Sequence, residues 1–243
     1  MSWIRKNIIL QNHESCIIEI YGDYLMKKLN IPLIQLPKDY TSLDKVSESL
    51  EKFGICTEID IINWKKFSYK PEVKLFCAYT EKEILLKYIV AEKNILALHT
   101  DINAPVFEDS CVEFFISPGN GFYYNFEFNC IGNKNVGYGR QREGRTMLSD
   151  SNISTIRTFS SLGNEGFNLR KLSVPWQLTI AIPFNIFSEN EFRNPQGKTF
   201  NVNFYKCGDN LPDPHYLSWN PIGLSSPDFH RPEFFGEMIF DYL

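Results

Sequence analysis

An antiparallel β-sandwich, all-β and immunoglobulin- or jelly-roll-like, with one short helix near the N-terminus, is the architecture this sequence predicts. Three observations point to it. Short alternating apolar segments recur along the chain between Gly, Pro and Asn turns, which is the pattern of a sandwich or barrel rather than of an α/β fold. Aromatic residues make up 15% of the chain, with 20 Phe and 12 Tyr, types that suit a pleated, half-buried surface. Residues 106–131 read VFEDSCVEFFISPGNGFYYNFEFNCI, two alternating strands around a Gly-Asn-Gly loop. With 243 residues and 43% hydrophobic content, one large domain can bury a substantial core.

The elements follow in order. Residues 1–40 are mixed, and Ile31-Pro32-Leu33-Ile34 with Leu36-Pro37 resembles a short edge strand that prolines keep from further pairing. Thr41 and Asp44 form a capping-box start, Leu43, Val46, Leu50 and Phe53 recur on one face, and Gly54 ends the run. That spacing predicts an amphipathic helix over 42–53. Strand patterns occupy 73–79, 83–91, 112–117, 122–131 and the stretch around 133–139, then 154–160, 176–182, 200–206 and 234–240. The segment 139–150 is rich in Arg and Ser without periodicity and reads as a loop. Neither an internal repeat nor a low-complexity linker interrupts the chain. The expected organisation is a sandwich over 57–243, with residues 1–56 as an extension that carries the helix and packs on the core.

The hairpin at 112–131 is specific enough to assign register. Gly119 and Gly121 supply the φ > 0 conformations of a three-residue turn. Ile116 then faces Tyr124, Phe114 faces Phe126 and Val112 faces Phe128, all on a core face. The other face pairs Ser117 with Tyr123, Phe115 with Asn125, Glu113 with Glu127 and Cys111 with Asn129. A slip by one residue would put the aromatic row in water. Two directly opposed carboxylates repel, so Glu113 and Glu127 call for a cation, an arginine, a shared proton or a ligand's hydroxyl groups between them. The alternative is that both lie on a solvated face.

Several function classes are excluded or weakened. A net charge of −4 argues against nucleic acid, whose phosphates need a basic surface. No apolar run approaches the roughly 20 residues of a membrane span. The start, MSWIRKNIILQNHESC, does not read as a convincing signal peptide, because Ile8-Ile9-Leu10 is short and Gln11, Asn12 and His13 follow at once. A cytoplasmic protein is expected if the chain is whole, and a secreted or periplasmic one if a signal was removed. Cys77, Cys111 and Cys130 sit in strand patterns without metal-ligand spacing and read as buried free thiols, while Cys16, Cys56 and Cys207 are uninformative. HExxH, phosphate-loop, G-x-S-x-G and Cys/His zinc signatures are missing. The histidines His13, His99, His215 and His230 are scattered.

Five further pieces occur in a telling order. They are residues 105–118 with Phe107, Glu108, Asp109, Ser110, Val112 and Glu113, then YYNFEFNCIG at 123–132, WQLTIAIPF at 176–184, FNVNFYKCGD at 200–209, and a close with Trp219-Asn220-Pro221 and His230-Arg231-Pro232 before Phe235-Gly236. Together they resemble family 9 carbohydrate-binding modules, a DOMON-related β-sandwich class, over roughly residues 57 to 243. The resemblance implies a sandwich that binds the end of a glycan chain between aromatic side chains, sometimes with structural calcium. It also implies a glycan-degrading enzyme as partner, since such modules are usually attached to one.

Carbohydrate binding, to a glycan chain end or small saccharide in carbohydrate catabolism, is therefore the expected function. A sugar ring offers an apolar C–H face and a rim of hydroxyls, so its site needs flat aromatics edged by carboxylates, amides and guanidinium groups. Phe107, where a family member more often carries Trp, and Trp219 are the candidate platforms. Trp64 and Trp176 look like core. Glu113, Asn129, Asn203, Tyr205 and Arg231 are the polar candidates, although Asn203 could pair with backbone and Arg231 with Glu113 or Glu127. His230 either fixes the loop before the last strand or touches ligand. Asp101, Glu108 and Asp109 form an acidic loop that is either a calcium site or simply solvated. Three alternatives stay open. One is a glycoside hydrolase using Glu113 and Glu127 about 5 Å apart, against which stands the symmetry of two neighbours on one hairpin. The others are a heme-binding sandwich with axial His or Met, and a protein-binding sandwich without a sugar site.

Overall fold

The computed structural model describes residues 16–21, 24–36 and 42–242. In chain order the elements are β1 (Cys16–Tyr21), β2 (Tyr24–Ile31), α1 (Leu43–Phe53), β3 (Ile55–Glu58), β4 (Ile61–Ile62), β5 (Glu72–Tyr79), β6 (Glu83–Ala91), β7 (Asn94–Ala97), β8 (Cys111–Ser117), β9 (Tyr123–Asn129), β10 (Lys134–Gly139), β11 (Thr146–Met147), α2 (Asp150–Ile153), β12 (Arg157–Ser160), β13 (Phe167–Lys171), β14 (Trp176–Pro183), β15 (Thr199–Cys207), β16 (Tyr216–Ser218) and β17 (Gly236–Phe240). The larger sheet runs β1-β2-β17-β15-β8-β9-β10-β11, with β16 on β15 and β4 on β16. A smaller sheet runs β12-β14-β6-β5-β3, and β13 pairs with β7 separately. Among the strand pairs described, β2 with β17 is parallel and the rest are antiparallel.

The hairpin register is the expected one: Ile116 opposes Tyr124, Phe114 opposes Phe126, Val112 opposes Phe128 and Glu113 opposes Glu127. Gly119 and Gly121 adopt φ of 88° and 83°, which β-carbon-bearing residues reach only with strain. On the inner face Phe114 stacks on Phe126 and Phe204, centroids 6.0 and 5.1 Å apart. These rings meet Leu75, Leu86, Val90, Leu178 and Ile180 of the smaller sheet in one continuous core. Trp176 is part of that core, and Trp64 is buried in a second cluster described below.

Helix α1 closes the far face of the smaller sheet, where Leu43, Val46 and Leu50 pack on Ala78, Leu85 and Ala181. Small residues at two of those three sheet positions let the helix approach. Phe53, although in phase with the buried positions, is 54% exposed at the last turn. Gly54 is not left-handed (φ −75°); glycine is needed there because a β-carbon would sit 2.6 Å from the Leu50 carbonyl oxygen. The N-cap is Ser42, and Thr41 lies outside the described residues, as does His13. The strand expected over 154–160 is shorter and begins at Arg157, because residues 154–156 continue the turn of α2 with their N–H groups on the carbonyls of Asp150, Asn152 and Ile153. The N-terminal residues contribute more than a helix, since β1 and β2 extend the larger sheet through β17. The prolines after β2 leave one link, a parallel bridge from Leu33 to Tyr79.

The reverse face of β8, β9 and β15 is covered, not solvated. Residues from 222 to 235 and Trp64 fold across it and bring Ile222, Phe229 and Phe235 onto Phe115, Tyr123 and Tyr205. This third layer buries the polar row of the hairpin. Along part of its length it stands off the sheet and leaves a pocket.

Candidate functional site

Glu113 and Glu127 form the floor of this pocket, 3% and 2% exposed. The alternative of a solvated pair fails because the third layer lies over them. Their surroundings also differ, which contradicts the symmetry expected of two neighbours on one hairpin. Glu127 Oε1 accepts from Asn125 Nδ2 at 2.9 Å and lies 3.7 Å from Arg145 Nη1. Glu127 Oε2 accepts from Asn135 Nδ2 at 3.2 Å. Both amides turn their N–H groups to this carboxylate, and their own buried oxygens find no donor among the described residues. Two acceptors facing the pocket floor beside a carboxylate are a polar lining that a hydroxyl or water can complete. Glu113 Oε1 instead accepts from the Cys207 thiol at 3.1 Å.

The two acids consequently titrate differently. Burial and then the charge of Glu127 push Glu113 well above the usual carboxylate range. Burial raises Glu127 to about 7 against the pull of Arg145 and the Asn125 amide. Near neutral pH the floor thus presents a protonated acid beside a group poised to be an anion. His230 completes this end: its Nδ1 lies 2.9 Å from the Tyr123 hydroxyl and 3.4 Å from Arg145 Nη1. Burial and the adjacent arginines lower it to about 3. Two donors at Nδ1 leave the ring neutral with its proton on Nε2.

The walls are aromatic. Phe67, Phe107, Tyr216 and Phe229 surround a volume of about 350 Å³, with Arg142, Arg145, Asp209, Asp228 and His230 at its polar side. Phe67 meets Tyr216 edge-on at 4.8 Å, and Phe229 is braced from behind by Tyr205 in a stack at 4.1 Å. Burial raises the pKa of Asp209, a shift opposed by a hydrogen bond from the Tyr216 hydroxyl. Aromatic faces edged by carboxylates and guanidinium groups are what a sugar ring requires.

Of the residues singled out in the sequence, Phe107, Glu113 and Glu127 line the pocket, and so do His230 and Cys207. The rest are placed elsewhere. Trp219 is 0% exposed in the inter-sheet core. Its Nε1 donates to Thr57 Oγ1 and its ring meets Phe204 edge-on, so no face is left for a ligand. Asn203 is buried and clamps the turn after β16, accepting from Asn220 N at 2.8 Å and donating to Asn220 O at 3.1 Å. Tyr205 is buried beneath Phe229 with its hydroxyl on the Phe229 carbonyl. Asn129 bonds the His99 carbonyl and Asp109. Arg231 pairs with Glu233 and Asp228, and the arginine beside Glu127 is Arg145. Asp101, Glu108 and Asp109 do not converge. Asp109 receives the backbone N–H groups of Leu98 and His99 and the Asn129 amide, Glu108 faces His99 and Asn210, and Asp101 is exposed. Three N–H donors satisfy Asp109 as loop glue, which does not fit a calcium site made by these three residues.

A model of carbohydrate-binding family 9 matches residues 44–240. The chain belongs to carbohydrate-binding family 9. A solved protein of Bacteroides uniformis ATCC 8492, assigned a carbohydrate-binding role, is 39% identical with a TM-score of 0.82, over 88% of this chain and 98% of that one. Two structures of a family 9 module from Caldicellulosiruptor kristjanssonii, one with glucose and one with cellotriose, share the fold at 11% and 10% identity. Their TM-scores are 0.58 and 0.54, over 88% of this chain and 95% and 93% of theirs. No curated protein matches. In this family 9 chain the pocket residues that sequence reasoning passed over are Phe67, Arg142, Arg145, Asp209, Tyr216, Asp228 and Phe229. One signal was available: three arginines at 140, 142 and 145 in a segment directly after β10, next to an acidic pair in need of a counter-charge.

Proposed function

We propose that the outer-face pocket binds a sugar ring at the end of a glycan chain, or a small saccharide, without cleaving it. One observation carries the reading: aromatic walls at Phe107, Tyr216 and Phe229 stand around a buried floor where one acid can donate and the other accept. Sugar hydroxyls do both, so Glu113, Glu127 and the two arginines offer complementary partners at once. Family membership supports it. Because the Caldicellulosiruptor modules hold glucose and cellotriose, glucose and short cello-oligosaccharides are the first ligands to try. A role in carbohydrate catabolism beside a glycan-degrading enzyme fits the same reading.

Hydrolysis is disfavoured by geometry. Catalytic carboxylates flank the scissile bond, whereas Glu113 and Glu127 are cross-strand partners on one floor and meet a ligand from the same side. Heme is disfavoured too, since His215 is engaged by Lys206 and the Asp213 carbonyl, and His230 by Tyr123. Calorimetric titration with glucose, cellobiose, cellotriose and a wider glycan panel tests the proposal, with aryl-glycoside turnover measured on the same sample. Binding without turnover is expected; no binding across the panel would overturn the reading, and turnover abolished by Glu113→Gln would replace it with an enzyme.

A further inference from the structure

Beside the acid pair, the same floor carries two thiols. Cys111 and Cys207 are direct cross-strand partners on β8 and β15, and both are buried and free. Strand alternation places Glu113, two residues beyond Cys111, on the same face. The two sulfur atoms and a Glu113 oxygen all lie within 4.8 Å of one another, and Cys207 Sγ is 3.1 Å from Glu113 Oε1. A tetrahedral zinc ion with Zn–S near 2.3 Å and Zn–O near 2.0–2.2 Å needs its ligand atoms roughly 3.5–3.8 Å apart, a spacing that small side-chain rotations reach. The arginine on this floor pairs with Glu127, so Glu113 is the acid whose hydrogen-bond partner is a thiol.

We propose that Cys111, Cys207 and Glu113 bind one thiophilic divalent cation of the zinc class, with its fourth coordination position open to the pocket. Two thiolates and one carboxylate select zinc or cadmium over calcium and magnesium, which prefer all-oxygen shells. Glu113 and Cys207 line the pocket while Cys111 lies behind them. The ion therefore has an entry path and a corner for water or another small ligand. Three protein ligands and one open position is the arrangement of an exchangeable zinc site rather than a closed structural one.

The test is a titration of the full chain, stripped with chelator and kept reduced, with cobalt(II) as a spectroscopic stand-in and no sugar present. One equivalent is expected to bring up a sulfur-to-cobalt charge-transfer band in the near ultraviolet with intense visible bands of a tetrahedral ion. Zinc should then bleach both. Cys207→Ser and Cys111→Ser should each remove most of the charge-transfer intensity, and Glu113→Gln should weaken binding by roughly tenfold or more. Cys77→Ser should leave the spectrum intact. Absence of a charge-transfer band in the wild-type chain overturns the site whatever the variants do. So does an unchanged band in a folded Cys207→Ser chain. Because no sugar is added, this result is separate from the fate of the carbohydrate reading.

Discussion

Glu127 gathers two amides and an arginine around a carboxylate that burial nevertheless holds at a raised pKa. The consequence for stability has a definite sign. Between its ordinary value of 4.5 and about 7, the folded chain keeps a proton on Glu127 that the unfolded chain has released, so this group's contribution falls as pH rises through that window. Removing the titration with Glu127→Gln should let the variant gain on wild type by on the order of 3 kcal/mol between pH 4.5 and 8. His230 titrates the other way but is common to both chains. Denaturant melts of the two proteins across this range check it; parallel profiles would show that Glu127 is not the strained group. A second buried charge has the opposite character. Lys206 Nζ lies 3.0 Å from Glu92 Oε2 and 2.9 Å from His215 Nε2, both fully buried. Lys206→Ala should cost about 3–5 kcal/mol because it leaves Glu92 uncompensated, and Lys206→Met paired with Glu92→Gln should recover much of that loss. An exposed-like cost below 1 kcal/mol in the melt would contradict the burial of the pair.

The β8–β9 hairpin shows what an element reveals about itself. Phe126→Ala should cost about 3–5 kcal/mol by emptying a core position between Phe114 and Phe187. Asn125→Ala, on the other face, should also cost about 1–3 kcal/mol, since Glu127 would lose a donor in a buried place. Equal tolerance at both positions in denaturant melts would contradict a hairpin buried on two faces. The register of this hairpin was legible because two glycines determine the turn and the turn determines every pair. Its second face was not, because alternation shows which side chains share a face but not what covers it. The cover comes from Trp64 and from residues 222 to 235, about 50 and 90 positions away or more, and only the folded chain brings them there. For the same reason Trp219 misled: Ser218, Asn220 and Pro221 give it a loop-like setting, yet its ring fills the core against Phe204 and Gly236. A β-carbon at Gly236 would lie 2.6 Å from that ring and 2.5 Å from the Lys27 carbonyl oxygen. Helix α1 was legible from its apolar spacing, whereas β1 and β2, which join the larger sheet only by pairing with the distant strand β17, were not.

At the scale of the whole molecule, two sheets enclose an ordinary core and a third layer turns the back of the larger sheet into the floor of a pocket. Strands set the acids, the stretch after β10 brings the arginines, and the aromatic walls come from Phe67 and Phe107 ahead of β5 and β8, Tyr216 at the start of β16 and Phe229 after it. Among the described residues no helix is long and apolar enough to cross a membrane. The central claim is that a sugar ring stacks in the outer-face pocket, with Phe107 as one wall. The most direct measurement is calorimetry with the tightest-binding sugar of the glucose series on the wild type, Phe107→Ala and Phe107→Trp. Truncating a stacking aromatic costs about 1–3 kcal/mol, so Phe107→Ala should bind roughly 5- to 150-fold more weakly, and the larger Trp face should bind more tightly than Phe. Undiminished affinity in a folded Phe107→Ala chain would contradict the account.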